Sequence, residues 1–172
     1  MTAPPTKTEC PEWYHNYIQL VPEGEILDIL ENQLLEYSNL VDNIPTQKHT
    51  FKYAEGKWTI KEILGHINDA ERILVYRALR FARDDKTDIP QYDHDVYVEK
   101  AAFNTIPFKD LAEEFKHLRK SAILLFRNFE NKTWEMEGTA GGAKFSVKAI
   151  AYIIVGHTAH HIKVLRNKYL KK

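Results

Sequence analysis

The sequence predicts an all-α protein, a four-helix bundle, and three observations lead to that fold class. Four long segments carry apolar residues at intervals of three and four positions, which places those residues on one face of an α-helix. The connections between the segments show no convincing strand pattern. The chain has 172 residues, enough for one hydrophobic core without disulfides. Four amphipathic helices in a domain of this size bury their apolar faces by packing together as a bundle.

The first two helices have clear boundaries in the sequence. The first is predicted over residues 24–44, where the apolar stripe is continuous, and Pro45 ends it. The second lies in "KWTIKEILGHINDAERILVYRALRFARDD", residues 57–85. Thr59 is placed as its N-cap, and Glu62 three residues later completes a capping box. The second helix therefore has a well-marked start.

A long connection separates the second helix from the third. Residues 84–105 contain a proline and several acids, with only a weak periodic patch over residues 95–103, so we expect a connection with one short helix. It is long enough to cross a bundle. The third helix is predicted over residues 107–129, and Pro107 suits its first turn.

The last part of the chain is predicted as a turn followed by a helix. The pair Gly141–Gly142 indicates a turn, and the residues on either side of it are expected to form a loose hairpin. The fourth helix begins near Ser146 and runs towards Tyr169. We expect residues 1–22 to be an N-terminal tail and residues 23–172 to form the single domain.

Composition excludes several classes of partner. Lys and Arg together number 24, as do Asp and Glu, so the formal net charge is zero. The long-range field that non-specific nucleic-acid binding requires is therefore missing, and no nucleic-acid partner is expected. No run approaches the roughly 18 apolar residues of a membrane span, so no membrane partner is expected either. The single cysteine, Cys10, rules out an internal disulfide, fits a cytoplasmic location and is expected to be loosely packed.

Histidines interrupt the apolar face of the fourth helix. In "GHTAHHIKVL", residues 156–165, His161 falls near the middle of the core face and His157 lies about 40° away, one turn earlier. Two imidazoles spaced in this way can direct ring nitrogens at one point, as in helical zinc sites. His160 points about 100° away from His161, towards the flank, and is a poorer candidate.

A third ligand is expected from the second helix. His66 also interrupts an apolar stripe, and inward side chains from facing helices meet in a bundle core. Three neutral imidazoles with an open coordination position suit a divalent cation such as zinc or nickel. Alternatively, each of these histidines is a core residue with one hydrogen bond. The remaining histidines are interpreted as solvated surface residues: His15, His49, His94 and His117.

Two sequence motifs together resemble a known family. "KWTIKEILGHINDAER" and "GHTAHHIKVL" resemble the two signatures of the DinB-like (DinB/YfiT) superfamily of metal-dependent enzymes, and the resemblance covers roughly residues 24–170. It implies a metal triad of His66, His157 and His161. It also implies an up-down-down-up bundle with a long crossover between the second and third helices, and a homodimer. Some relatives are S-transferases or isomerases that act with a low-molecular-weight thiol, bacillithiol or mycothiol.

Residues near the triad are expected to complete the site. The stretch "IPQYDHD" resembles the proline, tyrosine and aspartate segment of the thiol-transferase branch, which implies that Tyr92 and Asp93 lie near the site. Asp69 and Glu71 follow His66 closely enough to orient its ring; the alternative is that both are solvated surface acids. A pocket role is also open for His160 and for Trp13, Tyr14, Trp58 and Trp134, although most aromatic residues at helical spacing belong to the core.

These features lead to one leading function and several alternatives. The leading hypothesis is a thiol-dependent S-transferase that acts on small-molecule electrophiles, because a coordinating thiol is deprotonated by a nearby cation. A metal-dependent hydrolase would use the same site with water. The non-enzymatic alternatives are a metal- or ligand-binding stress-response protein and a bundle that serves mainly as a dimerisation surface. An open coordination position would favour catalysis, and a fourth protein ligand would favour a structural metal.

Overall fold

Four long helices form the core of the protein, whose computed structural model describes residues 3–171. In chain order the helices are α1 (His15–Ile18), α2 (Ile26–Asp42), α3 (Ile60–Phe81), α4 (His94–Lys100), α5 (Phe108–Arg127) and α6 (Val147–Val164). Both α2 and α3 pack against α5 and against α6. The four-helix bundle predicted from the sequence is therefore confirmed.

The helix ends follow the local signals in the sequence. The Thr59 hydroxyl accepts from the Glu62 backbone N–H at 3.1 Å, and the Glu62 carboxylate accepts from the Thr59 N–H at 2.6 Å, so the capping box is formed. Ser146 caps α6 by accepting from the Ala149 N–H at 2.9 Å. The α-helical part of α6 ends earlier than expected, because residues 165–169 continue as a π-helical turn.

The crossover and the hairpin are joined to each other. Strands β1 (Glu137–Ala140) and β2 (Ala143–Ser146) pair antiparallel around Gly141 and Gly142, whose φ angles of 59° and 73° suit the turn. Ile89 donates to the Thr139 carbonyl at 3.0 Å and accepts from the Gly141 N–H at 2.8 Å. These hydrogen bonds hold the start of the crossover, the connection between α3 and α5, against the hairpin. Farther along the crossover, α4 packs against α3.

The described N-terminal segment, residues 3–22, is called the leader here, and it is folded against the bundle. This corrects the expected loose packing of Cys10. That residue is 5% exposed, and α1 packs against α6. The approach is close, since a Cβ atom on Gly156 would lie 2.1 Å from the Tyr17 carbonyl oxygen. Helical periodicity could not show this packing, because the leader folds in short turns and its contacts are made with residues far away in the chain.

The buried apolar side chains form two clusters, and a buried polar network lies between them. The Arg119 guanidinium donates to both carboxylate oxygens of Glu71, at 2.7 and 3.0 Å. It also donates to Gln33 at 2.7 Å and to the Thr158 hydroxyl at 3.1 Å. Gln33 in turn donates to the Val155 carbonyl at 2.8 Å. The network joins all four long helices and fixes α6 on both sides of His157.

Within residues 3–171 no helix has the length and apolar character that a membrane span requires.

Candidate metal centre

Three histidine side chains meet where α3 faces α6. The Nε2 atoms of His66 and His157 lie 2.9 Å apart, and those of His157 and His161 lie 3.2 Å apart. One donor atom from each residue lies within 4.8 Å of the other two. Two imidazole nitrogens bound tetrahedrally to zinc at about 2.0–2.1 Å are about 3.3 Å from each other. The His66–His157 and His157–His161 distances are therefore close to the donor spacing of a tetrahedral zinc site.

Burial keeps all three imidazoles neutral. His66, His157 and His161 are 6%, 9% and 8% exposed. Burial, with a smaller contribution from charge on His94, lowers the pKa of His66 to about 4. Burial and the neighbouring imidazoles hold the pKa of both His157 and His161 well below 6.5. At neutral pH each ring therefore has a free nitrogen lone pair, which is the form that binds metal ions.

Aromatic side chains surround the triad. Measured between ring centroids, Trp58 lies 4.8 Å from His66, and His94 lies 5.6 Å from His66. Tyr17, from the leader, lies 5.6 Å from His157. Three separate segments of the chain thus limit the movement of the imidazoles: the turn before α3, the crossover and the leader.

Asp69 and Glu71 bind other side chains rather than these imidazoles. Asp69 pairs with Arg72 at 3.5 Å, and both oxygens of Glu71 are bound by Arg119. Glu71 is 2% exposed, so its interpretation as a solvated acid is wrong. In residues 3–171 the buried Nδ1 of His161 has no hydrogen-bond partner. Packing, rather than a carboxylate, sets the orientation of His161.

The triad lies between two cavities. The first cavity, of about 470 Å³, is bounded by His66 and His157 and by residues from the leader, α3 and the crossover, among them Tyr14, Tyr17, Arg77, Tyr92 and His94. The second cavity, of about 290 Å³, is bounded by His160 and His161, with Tyr53, Trp58 and Tyr169. Across residues 3–171, the cluster of donor atoms contains the three histidines and no fourth ligand. These three buried histidines could hold a metal ion and leave a position open towards a cavity.

One known protein family matches most of the chain. The model of the DinB superfamily matches residues 29–165, which include all three histidines of the cluster. This chain belongs to the DinB superfamily. No curated protein has a sequence that matches the chain.

Two solved structures share the fold of this DinB-superfamily chain. One is YfiT from Bacillus subtilis, described as "a probable metal-dependent hydrolase with an unusual four-helix bundle topology". It is 16% identical, with a TM-score of 0.70 over 94% of this chain and 91% of that chain. The other is a mycothiol-dependent maleylpyruvate isomerase. It is 14% identical, with a TM-score of 0.66 over 88% of this chain and 62% of that chain. At these identities the likeness concerns the fold.

The other residues that the sequence suggested for the site of this DinB-superfamily chain do not all lie near the triad. Tyr92 lines the first cavity, whereas Asp93 is exposed and caps α4 by accepting from the N–H groups of Asp95 and Val96. The His160 ring lies 5.0 Å from that of His161 and lines the second cavity. Trp13, Tyr14 and Trp58 line cavities, but Trp134 is 7% exposed and packs in the core.

Sequence reasoning missed three residues of the site. His94, interpreted as a surface residue, is exposed but contacts both Trp58 and His66. Its position two residues after Tyr92 in the crossover motif was the available signal. Arg77 lies eleven residues after His66, which returns it to nearly the same face of α3. No local pattern indicated Tyr17, whose contact depends on how the leader docks.

Proposed function

We propose that this protein is a metal-dependent enzyme that joins a low-molecular-weight thiol to a small electrophile. His66, His157 and His161 would hold a divalent cation, most suitably zinc or nickel. The observation that carries the proposal is the convergence of three neutral imidazole nitrogens between two cavities, with no fourth protein ligand among residues 3–171. Three protein ligands and an open position are typical of catalytic rather than structural zinc sites.

The donor set fits such a cation. Neutral imidazole is a borderline ligand that suits zinc and nickel, and the donor spacing requires little movement of the rings. When bound, a divalent cation supplies positive charge that favours the thiolate form of a coordinating thiol. The reaction is a substitution or an addition. The thiol gives up its proton to water, and its sulfur forms a bond to the electrophilic carbon. In a substitution, the bond to the leaving group breaks and that group departs with the bonding electrons. In an addition, the π bond breaks instead, and its electron pair moves to the neighbouring atom, which takes up a proton from water.

The residues of the first cavity would bind and orient the electrophile. Burial raises the pKa of Tyr92 to about 12, so its hydroxyl stays protonated at neutral pH and can donate a hydrogen bond. Tyr14 and Tyr17 provide aromatic surface against which an apolar part of the substrate can pack. Because the triad is buried, few water molecules can compete with the thiol.

The two cavities favour a reaction of two organic molecules. A hydrolase needs one organic substrate and water, whereas a thiol transferase must place two substrates beside the cation. His66 and His157 face the first cavity and His161 faces the second, so one reactant could approach from each side. The mycothiol dependence of the similar isomerase supports a thiol as one of them. Hydrolysis is the second candidate, supported by the description of YfiT.

Metal content is the first test. The protein would be purified without a histidine tag or chelator, and bound metals would be measured by inductively coupled plasma mass spectrometry. We expect near-stoichiometric zinc or nickel in the wild type and in His160→Ala, and loss of the metal in His66→Ala, His157→Ala and His161→Ala. No metal in the wild type, even after incubation with both ions, would overturn the proposal.

Activity separates the two enzymatic candidates. Metal-loaded protein would be incubated with 1-chloro-2,4-dinitrobenzene and one of three thiols, cysteine, bacillithiol or mycothiol, and separately with p-nitrophenyl esters. A transferase accelerates the thiol reaction, and this acceleration is lost in His157→Ala. Ester hydrolysis without thiol-dependent turnover would favour the hydrolase.

A further inference from the structure

Arg77 is a buried cation that lacks a hydrogen-bonding or negatively charged partner in the described part of the chain. The residue is 4% exposed, and within residues 3–171 it makes no hydrogen bond and no ion pair; its Nε is fully buried. By contrast, Arg119, which is 0% exposed, is paired with Glu71, Gln33 and Thr158. A buried charge that lacks a partner is strongly unfavourable, so unpaired arginines are rare in folded proteins. This exception points to a group that arrives from outside the chain.

The first cavity is where such a group would bind. Arg77 lines this cavity, and none of the residues that line it is an aspartate or a glutamate. The cation–π contact of Arg77 with Tyr92 is weak, with the guanidinium carbon 5.9 Å from the centroid of the ring. The cavity therefore contains a guanidinium and no protein carboxylate to neutralise it.

Arg77 and His66 belong to the same wall of the cavity. They are eleven residues apart on α3, which corresponds to about 20° of rotation and about 16 Å along the helix axis. Ala70 and Leu74 lie between them and line the same cavity. A ligand that reaches from the triad to Arg77 must therefore be elongated, with an apolar middle against these two side chains.

We propose that Arg77 binds an anionic oxygen group, a carboxylate or a phosphate, of the small molecule that occupies the first cavity. One reactant of the enzyme is then an elongated organic anion, with its charged end at Arg77 and its reacting end at the triad. The placement of the reacting end rests on the function proposed above, whereas anion binding by Arg77 does not require the metal. A guanidinium suits this role because its planar N–H groups can hold two oxygens at once.

Tyr92 adds a second donor at the same end of the cavity. Its ring neighbours the Arg77 guanidinium, and its hydroxyl is protonated at neutral pH. A protonated phenol beside a guanidinium can donate to the same oxygen group. Gln91 also lines the cavity, and its amide donates a long hydrogen bond to the Gly141 carbonyl, at 3.4 Å.

Three ligands of similar length test the proposal: hexanoate, hexyl phosphate and the uncharged hexanamide. Their dissociation constants would be measured calorimetrically, at constant ionic strength, for the wild type, Arg77→Gln, Arg77→Lys and Arg83→Gln. Arg83 is the matched control, because it is an exposed arginine just after the same helix. We expect at least one anion to bind the wild type and Arg83→Gln about tenfold to a hundredfold more tightly than Arg77→Gln. Which anion binds more tightly identifies the chemistry of the natural ligand.

The variants also show whether Arg77 is only structural. Arg77→Lys keeps the charge and should retain part of the anion affinity. Because Arg77→Gln removes an unpaired buried charge, its melting temperature without ligand should equal or exceed that of the wild type. Equal anion affinity in wild type and Arg77→Gln, hexanamide binding as tight as hexanoate, or no anion binding to the wild type would overturn the proposal.

Metal measurements keep this test separate from that of the enzyme function. Arg77→Gln should contain as much metal as the wild type, and chelator-treated wild type should still prefer hexanoate or hexyl phosphate to hexanamide. If the protein binds metal but shows no preference for anions, only the proposed role of Arg77 is contradicted. If the protein prefers anions but no sample contains metal, only the metal-dependent function is contradicted.

Discussion

The Nε2 atoms of His66 and His157 lie 2.9 Å apart although the two residues are 91 positions apart in the chain. They meet because α3 and α6 pack against each other with these side chains on their facing surfaces. His161, one turn along α6 from His157, adds the third nitrogen. The candidate site is therefore a property of the α3–α6 contact, and changes to that contact should change both stability and metal binding.

Zinc should stabilise the folded protein. A ligand that binds only the folded state adds about 2.7 kcal/mol to the free energy of unfolding when its free concentration is about a hundred times its dissociation constant. We expect zinc to raise the melting temperature of the wild type and a chelator to reverse the effect. His161→Ala should lose this response and His117→Ala, at an exposed position, should keep it. Equal responses in the two variants would place the zinc elsewhere.

Acid should destabilise the metal-free protein. In the unfolded chain a histidine has a pKa near 6.5, while burial lowers the pKa of His66 to about 4 in the folded protein. As the pH falls from about 6.5 to about 4, the unfolded state binds a proton that the folded state does not. The free energy of unfolding should then fall, by about 3 kcal/mol for His66. His157 and His161 act in the same direction.

Urea unfolding in the presence of a chelator, repeated at several pH values between about 7 and about 4, measures this change in the free energy of unfolding. His66→Asn should flatten the pH dependence relative to the wild type, and His117→Asn should not. An unchanged slope in His66→Asn would show that this imidazole titrates normally in the folded protein.

Glu71→Gln should destabilise the bundle. The substitution keeps the size of the side chain but leaves the Arg119 guanidinium, which is completely buried, without a counter-charge. Breaking a buried ion pair in this way costs about 3–5 kcal/mol. Glu31→Gln is the control, because Glu31 and its partner Arg127 are both about half exposed and such pairs contribute about 1 kcal/mol or less. Similar losses in the two variants, measured by urea unfolding, would contradict the importance of the network.

Gly156→Ala should displace the leader. The new methyl group would lie 2.1 Å from the Tyr17 carbonyl oxygen, a backbone atom that no side-chain rotation can move. We expect a loss of stability of about 1–3 kcal/mol, typical of overpacking. Amide hydrogen exchange in residues 10–20 should also become faster. Lys163→Ala, at an exposed position of the same helix, is the control, and unchanged exchange in Gly156→Ala would disprove the close contact.

Much of the fold could be predicted because its signals are local. The capping box of Thr59 and Glu62, the apolar stripes and the turn at Gly141–Gly142 each depend on residues a few positions apart. The common face of His157 and His161 follows from the same helical spacing. Recognising His66 as the third member required either the assumption of a bundle or the family resemblance, since helical spacing does not relate separate helices.

Tertiary packing decided the rest, because a side chain's surroundings depend on segments that are distant in the chain. Glu71 looks like a surface acid until α5 brings Arg119 to it, and Cys10 looks like part of a tail until the leader docks on the bundle. Arg77 shares the face of His66 by its spacing, but only the folded protein shows that it is buried and unpaired. Local spacing sets which face a residue occupies, and the packing of whole helices sets the partner, solvent exposure and charge environment on which its chemistry depends.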